Sequence, residues 1–581
     1  MSSATRVGSG SPAAERALPM AGRARLFSRL AVAGIGCSLL IMVAASATRD
    51  SWMYPRIILP AVGPPFDLTF VDMSPGVATV LLWLAIVIGV GGVVAGLVAV
   101  ERGARPSVRL LLIGAAVAVA LLTVFPPAGS TDAFDYASYG RILVLGHSPY
   151  VMTPAQLARL HSTFSRSVPI TWSHFVSVYG PLATLEQFLA AKLGGISAAR
   201  ITFWLKLWNA IAFGLVAYVV DRTLRSDPAR RLRAHLLWTI NPLILWDLIG
   251  EGHVDLIAAA AGLLGLLVLG QHSETIRPSL LRLLAAGALI GAAADIKINY
   301  ALFGLALIWV LRRSFTALAA AAAGALVVIA PGYAWFGMPA VRALAGRRNG
   351  ISADSYYRAL LGSSFRPHMA ELATVLVIVV AVLAWRRMPA GYQTRPVFRV
   401  ALVLSVAWLF LWPYQFPWYD AMLVCLLMFY PATRLDWLVL GRLAIGNLPN
   451  TPGNPFGPPG HVVYLTHHLI VYVIAPMALF AAAIGLVWLC LSGRWNPREP
   501  GNPDPPGSAP KEPELLPSAA SLPTRPFSLM PRTALRPDQP SEEGTGRRVG
   551  AGERRPHLSL HSRRKSGSGP GQNRSPAARS R

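Results

Sequence analysis

The chain has 581 residues, 54% hydrophobic and only 14% charged, against about 25% charged in an average soluble domain. Its long uncharged runs exclude a soluble globular class and read as an all-α polytopic membrane protein. The formal net charge of +26 is not a nucleic-acid signal, because the arginines gather in short loops and a terminal tail, where cytoplasmic positive charge collects. A contact between that tail and nucleic acid is the minor alternative.

Residues 1–26 are polar and Arg-containing and read as a disordered cytoplasmic N-terminus. The apolar run after them ends in Ala-Ser-Ala, like a cleavable signal, but the many later spans favour an uncleaved first transmembrane helix. Spans are expected near 27–47, 76–100 and 107–127, joined by an outer loop (48–75) and a basic inner loop with Arg102, Arg105 and Arg109. A large outer loop, 128–197, follows and ends in an amphipathic segment, 180–192, suited to an interface. The span at 198–220 leads into a turn with Arg222, Arg225, Arg230, Arg231 and Arg233, the clearest inner-side marker.

Spans near 233–249 and 254–270 enclose a tight turn with Glu251, His253 and Asp255. The apolar stretch 282–312 is too long for one crossing and is interrupted by Asp295, Lys297 and Asn299, so two short helices are expected to meet at Lys297. The loop 336–370 carries Arg342, Arg347, Arg348, Arg358 and Arg366 and is expected to fold over a site facing it. Further spans are read near 314–335, 371–386, 398–413, 417–431, 434–447 and 466–491, which gives about 11–14 in all. Arg442 sits in the stretch 434–447 and counts against a crossing there. Cys37, Cys425 and Cys490 all lie in apolar runs and read as buried thiols, not ligands. The membrane domain is thus bounded at 27–492, and residues 493–581, rich in Pro, Gly, Ser and Arg, read as a disordered basic cytoplasmic tail.

The chemistry concentrates where the third span ends. In STDAFDYASYGRILVLGHSPY, Ser130–Tyr150, a helical register places Asp132, Asp135, Tyr136 and Tyr139 on one face. Two carboxylates and two phenols suit a base and a sugar-binding surface. The same residues equally suit a helix start, capped by Ser130 or Thr131, with acids at the positive end of the dipole. Lys297 inside a span costs about 2.5–3.5 kcal/mol on insertion scales, so it reads as functional, with an Asp295 ion pair or snorkelling as the bland account. Arg141 is a second phosphate candidate, although a continuous helix would turn it away from Asp132. Glu251, His253 and Asp255 do not meet zinc spacing, and hydrogen bonding or acceptor binding suits them better than a metal. Tyr150, Trp172, Tyr179 and the Trp412–Tyr419 cluster suit either stacking on sugar and lipid or an aromatic belt.

The pattern Asp132, Phe134, Tyr136, Gly140-Arg141, then Gly146, Pro149-Tyr150, then Tyr179-Gly180-Pro181, resembles the first large outer loop of bacterial polyprenyl-phosphate-mannose-dependent mannosyltransferases, multi-spanning members of the GT-C superfamily. Gly-x-Gly-His-x-Asp at Gly250–Asp255 and the intramembrane Lys297 extend the resemblance, which covers about residues 27–445. It implies a plasma-membrane glycosyltransferase of the cell envelope, with its active site outside. A hexose, by resemblance mannose, would pass from a polyprenyl-phosphate sugar to a glycan or lipoglycan acceptor by inverting displacement.

In the same resemblance Asp132 is the base and Asp135 its alternate, and Lys297, with Arg141 second, meets the donor phosphate. Tyr136, Tyr150, Tyr179, His253 and Asp255 are the substrate-binding candidates. Membrane lipids are the other partners. The donor carries its own activation, so no cofactor is required, and the residues leave divalent-metal dependence open. A secondary transporter or a lipid-linked-glycan flippase or ligase is the rival reading: it explains many spans and an intramembrane Lys-Asp pair, but not the acidic-aromatic loop.

Overall fold

The computed structural model describes residues 12–48, 70–160, 164, 172–270, 278–346, 350–362, 366–388, 396–450 and 460–495. Within them the chain is all-α; the one β-type pairing is an isolated bridge between Thr48 and Val71. Arg347 and Arg348, and all of 496–581, lie outside the described residues, so the expectations placed on them have no structural counterpart here.

Among the described residues, six helices are long and apolar enough to cross a membrane: Gly22–Ser46, Pro75–Glu101, Ala198–Thr223, Phe315–Phe336, Met369–Arg387 and His461–Ser492. A pair of helices broken by a short turn, Pro242–Gly250 and Asp255–Leu269, bent by 110°, has the form of a broken span or a re-entrant loop. Shorter apolar helices complete the bundle: Val108–Val124, Ile298–Leu311, Pro396–Leu411 and Pro417–Leu427. Large apolar side chains on these helices face outwards, among them Leu40, Val87, Val327 and Trp335. That is the surface a bilayer covers and water does not. The protein is an all-α polytopic membrane protein.

We label the helices that build the site α1 (Pro12–Ser46), α2 (Pro75–Glu101), α3 (Val108–Val124), α4 (Asp132–Val144), α5 (Pro181–Gly194), α6 (Ala198–Thr223), α7 (Asp255–Leu269), α8 (Leu280–Ile296), α9 (Ala301–Leu311), α10 (Phe315–Phe336), α11 (Pro396–Leu411) and α12 (Arg434–Asn450). α1 starts at Pro12, inside the stretch 1–26 expected to be irregular. The cause is local: Pro12 suits a first helical position, and Ala13, Ala14, Ala17 and Leu18 are strong helix formers that run directly into the span. Serine N-caps open α2, α3, α6, α8 and α10, with Ser74, Ser107, Ser197, Ser279 and Ser314 each accepting from the amide three residues on.

Small residues let the helices approach closely, as in other membrane bundles. A Cβ on Gly34 of α1 would lie 2.9 Å from Cα of Gly92 on α2, and one on Gly287 of α8 would lie 1.9 Å from the carbonyl of Ala321 on α10. Cys37 is exposed on α1, where it was expected to be buried; Cys425 and Cys490 are buried. A helix periodicity puts Cys37 on the outward face, beside Leu40, while its neighbour Ser38 turns in to donate to the Ala85 carbonyl at 2.7 Å.

Arg442 does not break α12. It is 3% exposed, and its guanidinium is paired with Asp420 and donates to the Leu409 carbonyl at 3.0 Å and the Gln415 side chain at 2.7 Å. A second buried pair, Arg233 to Asp436 at 2.5 and 2.6 Å, ties the start of the same helix to the segment after α6. α5 packs Thr184, Gln187, Ala190 and Ala191 against the bundle and leaves Leu185, Leu189 and Leu193 exposed as a stripe four residues apart. One face in the protein and one apolar face out is the arrangement of an interfacial helix.

Candidate functional site

Helix α4 follows directly on the end of α3, separated by the turn at Phe125–Thr131, and is not itself one of the spans. Its start is set by Ser130, whose hydroxyl accepts from the Asp132 amide at 3.2 Å. Its close approach to α5 depends on Gly140, since a Cβ there would sit 2.1 Å from the Gln187 carbonyl. The second motif glycine, Gly180, is equally constrained: its Cβ would lie 1.7 Å from the carbonyl of Asp295. Asp295 in turn caps α5, its carboxylate accepting from the Leu182 amide at 2.8 Å. The glycines of the two motifs are therefore the places where α4, α5 and the end of α8 touch backbone to backbone.

Asp132, Asp135, Tyr136 and Tyr139 do share one face of α4, and that face looks into a cavity of about 510 Å³. Lys297 enters the same cavity from the break between α8 and α9, where its backbone is extended (φ −148°, ψ 119°). Trp172, Tyr179, Trp412 and Trp418 supply aromatic wall. Ile298, Leu302, Leu305, Leu344 and Trp408 add apolar wall to the same cavity, and Ile298 and Leu305 are more than half exposed on the outside of the bundle.

Asp132 is held by its neighbours. Its Oδ1 accepts from Trp172 Nε1 at 3.3 Å, and its Oδ2 lies 3.6 Å from His253 Nδ1. The hydroxyl of Tyr136 lies 3.2 Å from that of Tyr179 and 3.4 Å from His253 Nδ1. Burial raises the Asp132 pKa above the ordinary carboxylate range, opposed by Lys297 and by hydrogen bonds from Trp172, Ser130 and Tyr136. Asp135 is 2% exposed, and burial followed by the charge of Asp132 pushes its pKa up much further, with the Trp172 backbone amide pulling the other way. Of the two acids, Asp132 is the one that ionises more readily.

The ammonium of Lys297 is paired with Asp255 and lies 4.2 Å from the ring centroid of Tyr419. Asp255 begins α7 just beyond the 110° bend, which is built around Gly252 in a left-handed conformation (φ +78°). His253 is fully buried, stacked on Trp418 with ring centroids 3.7 Å apart, and bonded through Nε2 to Glu251 Oε2 at 2.9 Å.

Several candidates sit elsewhere. Arg141 lies on α4 but does not line the cavity, because the helix runs unbroken to Val144 and turns it away. Tyr150 does not line it either: its hydroxyl is taken up by the Tyr179 carbonyl at 2.9 Å and the Thr184 hydroxyl at 2.8 Å, so it positions Tyr179. His253 and Asp255 lie behind the cavity wall and act on Asp132 and Lys297 instead of facing the cavity. Two polar residues of α6 complete this layer: Asn209 donates to the carbonyls of Leu248 and His253, at 3.1 and 3.0 Å, and Lys206 donates to the Phe125 carbonyl at 2.7 Å. Both were visible as polar residues within an apolar span, the signal that singled out Lys297. Among the described residues, no group of three or more His, Cys, Asp or Glu is placed to hold a metal ion.

Residues 31–313 match the family model described as Alpha-(1->6)-mannopyranosyltransferase, N-terminal domain. The chain is also 28% identical over 216 residues to Alpha-(1->6)-mannopyranosyltransferase B of Corynebacterium glutamicum, a similarity covering 34% of this chain and 34% of that protein. The chain thus spans about a third of the length of the curated relative it matches. No solved structure matches it. The matched segment contains α4, the bend at Gly252 and Lys297, so the part of the chain that builds the cavity is the part similar to the N-terminal domain of alpha-(1->6)-mannopyranosyltransferases.

Proposed function

We propose that the protein is an integral membrane mannosyltransferase that uses a polyprenyl-phosphate mannose donor and a glycan or lipoglycan acceptor. The observation that carries this reading is the mixed lining of one cavity: Asp132 and Lys297 share it with Ile298 and Leu305, apolar residues exposed on the outside of the bundle. A lipid-linked sugar phosphate has the matching parts, a sugar, a charge and a hydrocarbon chain. The family match of residues 31–313 supports mannose as the sugar.

In this reading the acceptor hydroxyl attacks the anomeric carbon while Asp132 takes its proton. The bond from that carbon to the phosphate oxygen breaks, its electron pair leaves with the phosphate, and Lys297 stabilises the charge. Attack opposite the leaving group inverts the anomeric centre. Trp172 and Tyr179 offer flat apolar faces to a pyranose ring. The arginine-rich turn Arg222–Arg233 lies at the end of α6 opposite the α5–α6 turn, which supports a site on the outer side.

The test uses membranes containing the protein or its Asp132→Asn variant, radiolabelled polyprenyl-phosphate mannose and a short α-mannoside. Transfer by the wild type that the substitution abolishes, with insertion unchanged, supports the reading. Wild-type membranes inert with this and other polyprenyl-phosphate sugars would end it.

A further inference from the structure

Behind the base lies a chain of polar contacts that the displacement itself does not use. Glu251 Oε2 meets His253 Nε2 at 2.9 Å, and His253 Nδ1 faces both Asp132 Oδ2 at 3.6 Å and the Tyr136 hydroxyl at 3.4 Å. Everything else about His253 is fixed. Its ring is stacked on Trp418, which is itself stacked on Phe416 with centroids 4.7 Å apart, and its carbonyl is held by Asn209. Glu251 is 1% exposed, and its other oxygen lies beside Gly129, where a Cβ would come within 2.1 Å of it. Gly129 also has a left-handed backbone (φ +109°), so the turn ahead of α4 is shaped to admit this carboxylate.

We propose that Glu251 and His253 act as one positioning unit for the base: the Glu251 carboxylate fixes the histidine proton on Nε2 and leaves the Nδ1 lone pair facing Asp132. This deepens the mannosyltransferase reading above and rests on it. An ionised Glu251 can only accept, so Nε2 must donate to it, and a neutral ring then has an acceptor at Nδ1; burial raises the Glu251 pKa, so this tautomer belongs to the pH range above that raised value. An Nδ1 lone pair offers nothing to ionised Asp132. Once Asp132 has taken the acceptor's proton, its new O–H can donate to Nδ1, closing the 3.6 Å gap as such contacts close during catalysis.

The proton account is simple. The acceptor loses its proton as its oxygen bonds to the anomeric carbon, Asp132 gains that proton, and the electron pair of the broken bond leaves with the phosphate. Glu251 and His253 gain and lose nothing. They favour the protonated form of Asp132 over the ionised one, which makes Asp132 a stronger base. The Tyr136 hydroxyl lies within reach of Nδ1, Asp132 and Tyr179, and its single proton cannot serve all three.

Other charges around Asp132 do not share this role. Asp135 and Tyr136 lie on its own helix, Tyr179 and Tyr419 face it from loop and bundle, and Lys297 and Asp255 face it as a pair. Lys297 favours the ionised form. Glu251 opposes it through the tautomer it imposes.

The experiment is a pH–rate profile of mannosyl transfer for wild type and Glu251→Gln, with donor KM measured at each pH, and His253→Gln in parallel. The expected result for Glu251→Gln is a fall in kcat of about tenfold or more, an acid limb moved to lower pH because Asp132 becomes a weaker base, and a donor KM within about twofold of wild type. His253→Gln should do the same. An unmoved acid limb in both variants, whatever the rate, would overturn the proposal, as would a raised KM with kcat unchanged. Should Glu251→Gln fail to insert, the His253→Gln profile decides alone, and should that fail too, Glu251→Asp, which draws the carboxylate back from Nε2, must shift the limb for the proposal to stand. Wild-type membranes inactive at every pH would instead defeat the mannosyltransferase reading, a result distinct from an unmoved limb.

Discussion

The buried ammonium of Lys297 pairs with Asp255, across the bundle, and not with Asp295 two residues away. Asp295 points instead at the start of α5, where it accepts from Leu182 at 2.8 Å. The two carboxylates have separate duties, and they predict different losses. Lys297→Met should lower kcat by about 100- to 1,000-fold, the usual effect of removing one group aimed at developing charge. Asp255→Asn leaves a buried ammonium unpaired, so it should cost about 3–5 kcal/mol of stability, read as a lower melting temperature in detergent. Asp295→Asn keeps an acceptor for the α5 amide and should leave both quantities near wild type. Equal loss of stability in the two aspartate variants would contradict this division.

Asp132 and Asp135 lie one helical turn apart, yet substitution should separate them cleanly. Transfer requires an ionised base, so Asp132→Asn should reduce it by at least about 100-fold. Activity of the wild type should be present above the Asp132 pKa and disappear as pH falls through it; burial has raised that pKa, so the loss begins at higher pH than for an ordinary carboxylate. Asp135 behaves in the opposite sense. Its folded pKa is raised well above the usual value, so its protonated form favours folding, and that stability is fully present below the unfolded pKa and lost as pH rises through the folded one. Asp135→Asn fixes the neutral form. It should keep transfer within about tenfold of wild type and raise the melting temperature most at the high end of that window. A melting temperature lowered at every pH would count against it.

The membrane class, the helical face of α4 and the break at Lys297 were legible from residues alone, because a hydrophobic run, a three-to-four-residue spacing and an expensive intramembrane charge are local signals. What escaped was long-range. Nothing near Lys297 in sequence announces Asp255 as its partner, and the spacing around Asp132 does not reveal that His253 stands behind it. Arg141 and Tyr150 looked like site residues because they belong to the same motif, but one is turned away by the continuity of α4 and the other is consumed in holding Tyr179. Arg442 counted against a crossing at 434–447, and what the sequence did not show is that Asp420, Gln415 and the Leu409 carbonyl satisfy it within the bundle. Motif proximity signals a shared structural unit. It does not say which members face the cavity.

Tyr150 gives a direct test of that distinction. Its hydroxyl bonds to the Tyr179 carbonyl and to Thr184, and it does not touch the cavity. Tyr150→Phe should therefore destabilise the protein by about 0.5–1.5 kcal/mol, the net worth of an ordinary buried hydrogen bond, with a smaller effect on rate than Tyr179→Ala. A Tyr150→Phe variant of unchanged stability and much weakened donor binding would restore it to the binding surface.

The motif glycines predict the sharpest contrast of all. A methyl group on Gly180 would lie 1.7 Å from the Asp295 carbonyl, and one on Gly140 would lie 2.1 Å from the Gln187 carbonyl. Both obstacles are backbone, which cannot swing aside as a side-chain tip does. Relief requires α5 to move away from α8 or from α4, and either movement carries Tyr179 or Asp132 with it. Gly214, on the open face of α6, has nothing within 4 Å of the same methyl group. Gly180→Ala and Gly140→Ala should each remove most transfer activity and lower the yield of monodisperse protein, whereas Gly214→Ala should match wild type in both and gain slightly from its better helix propensity. Measuring all three by size-exclusion profile and transfer rate separates a contact requirement from a general intolerance of glycine replacement, since the latter would affect Gly214→Ala as well.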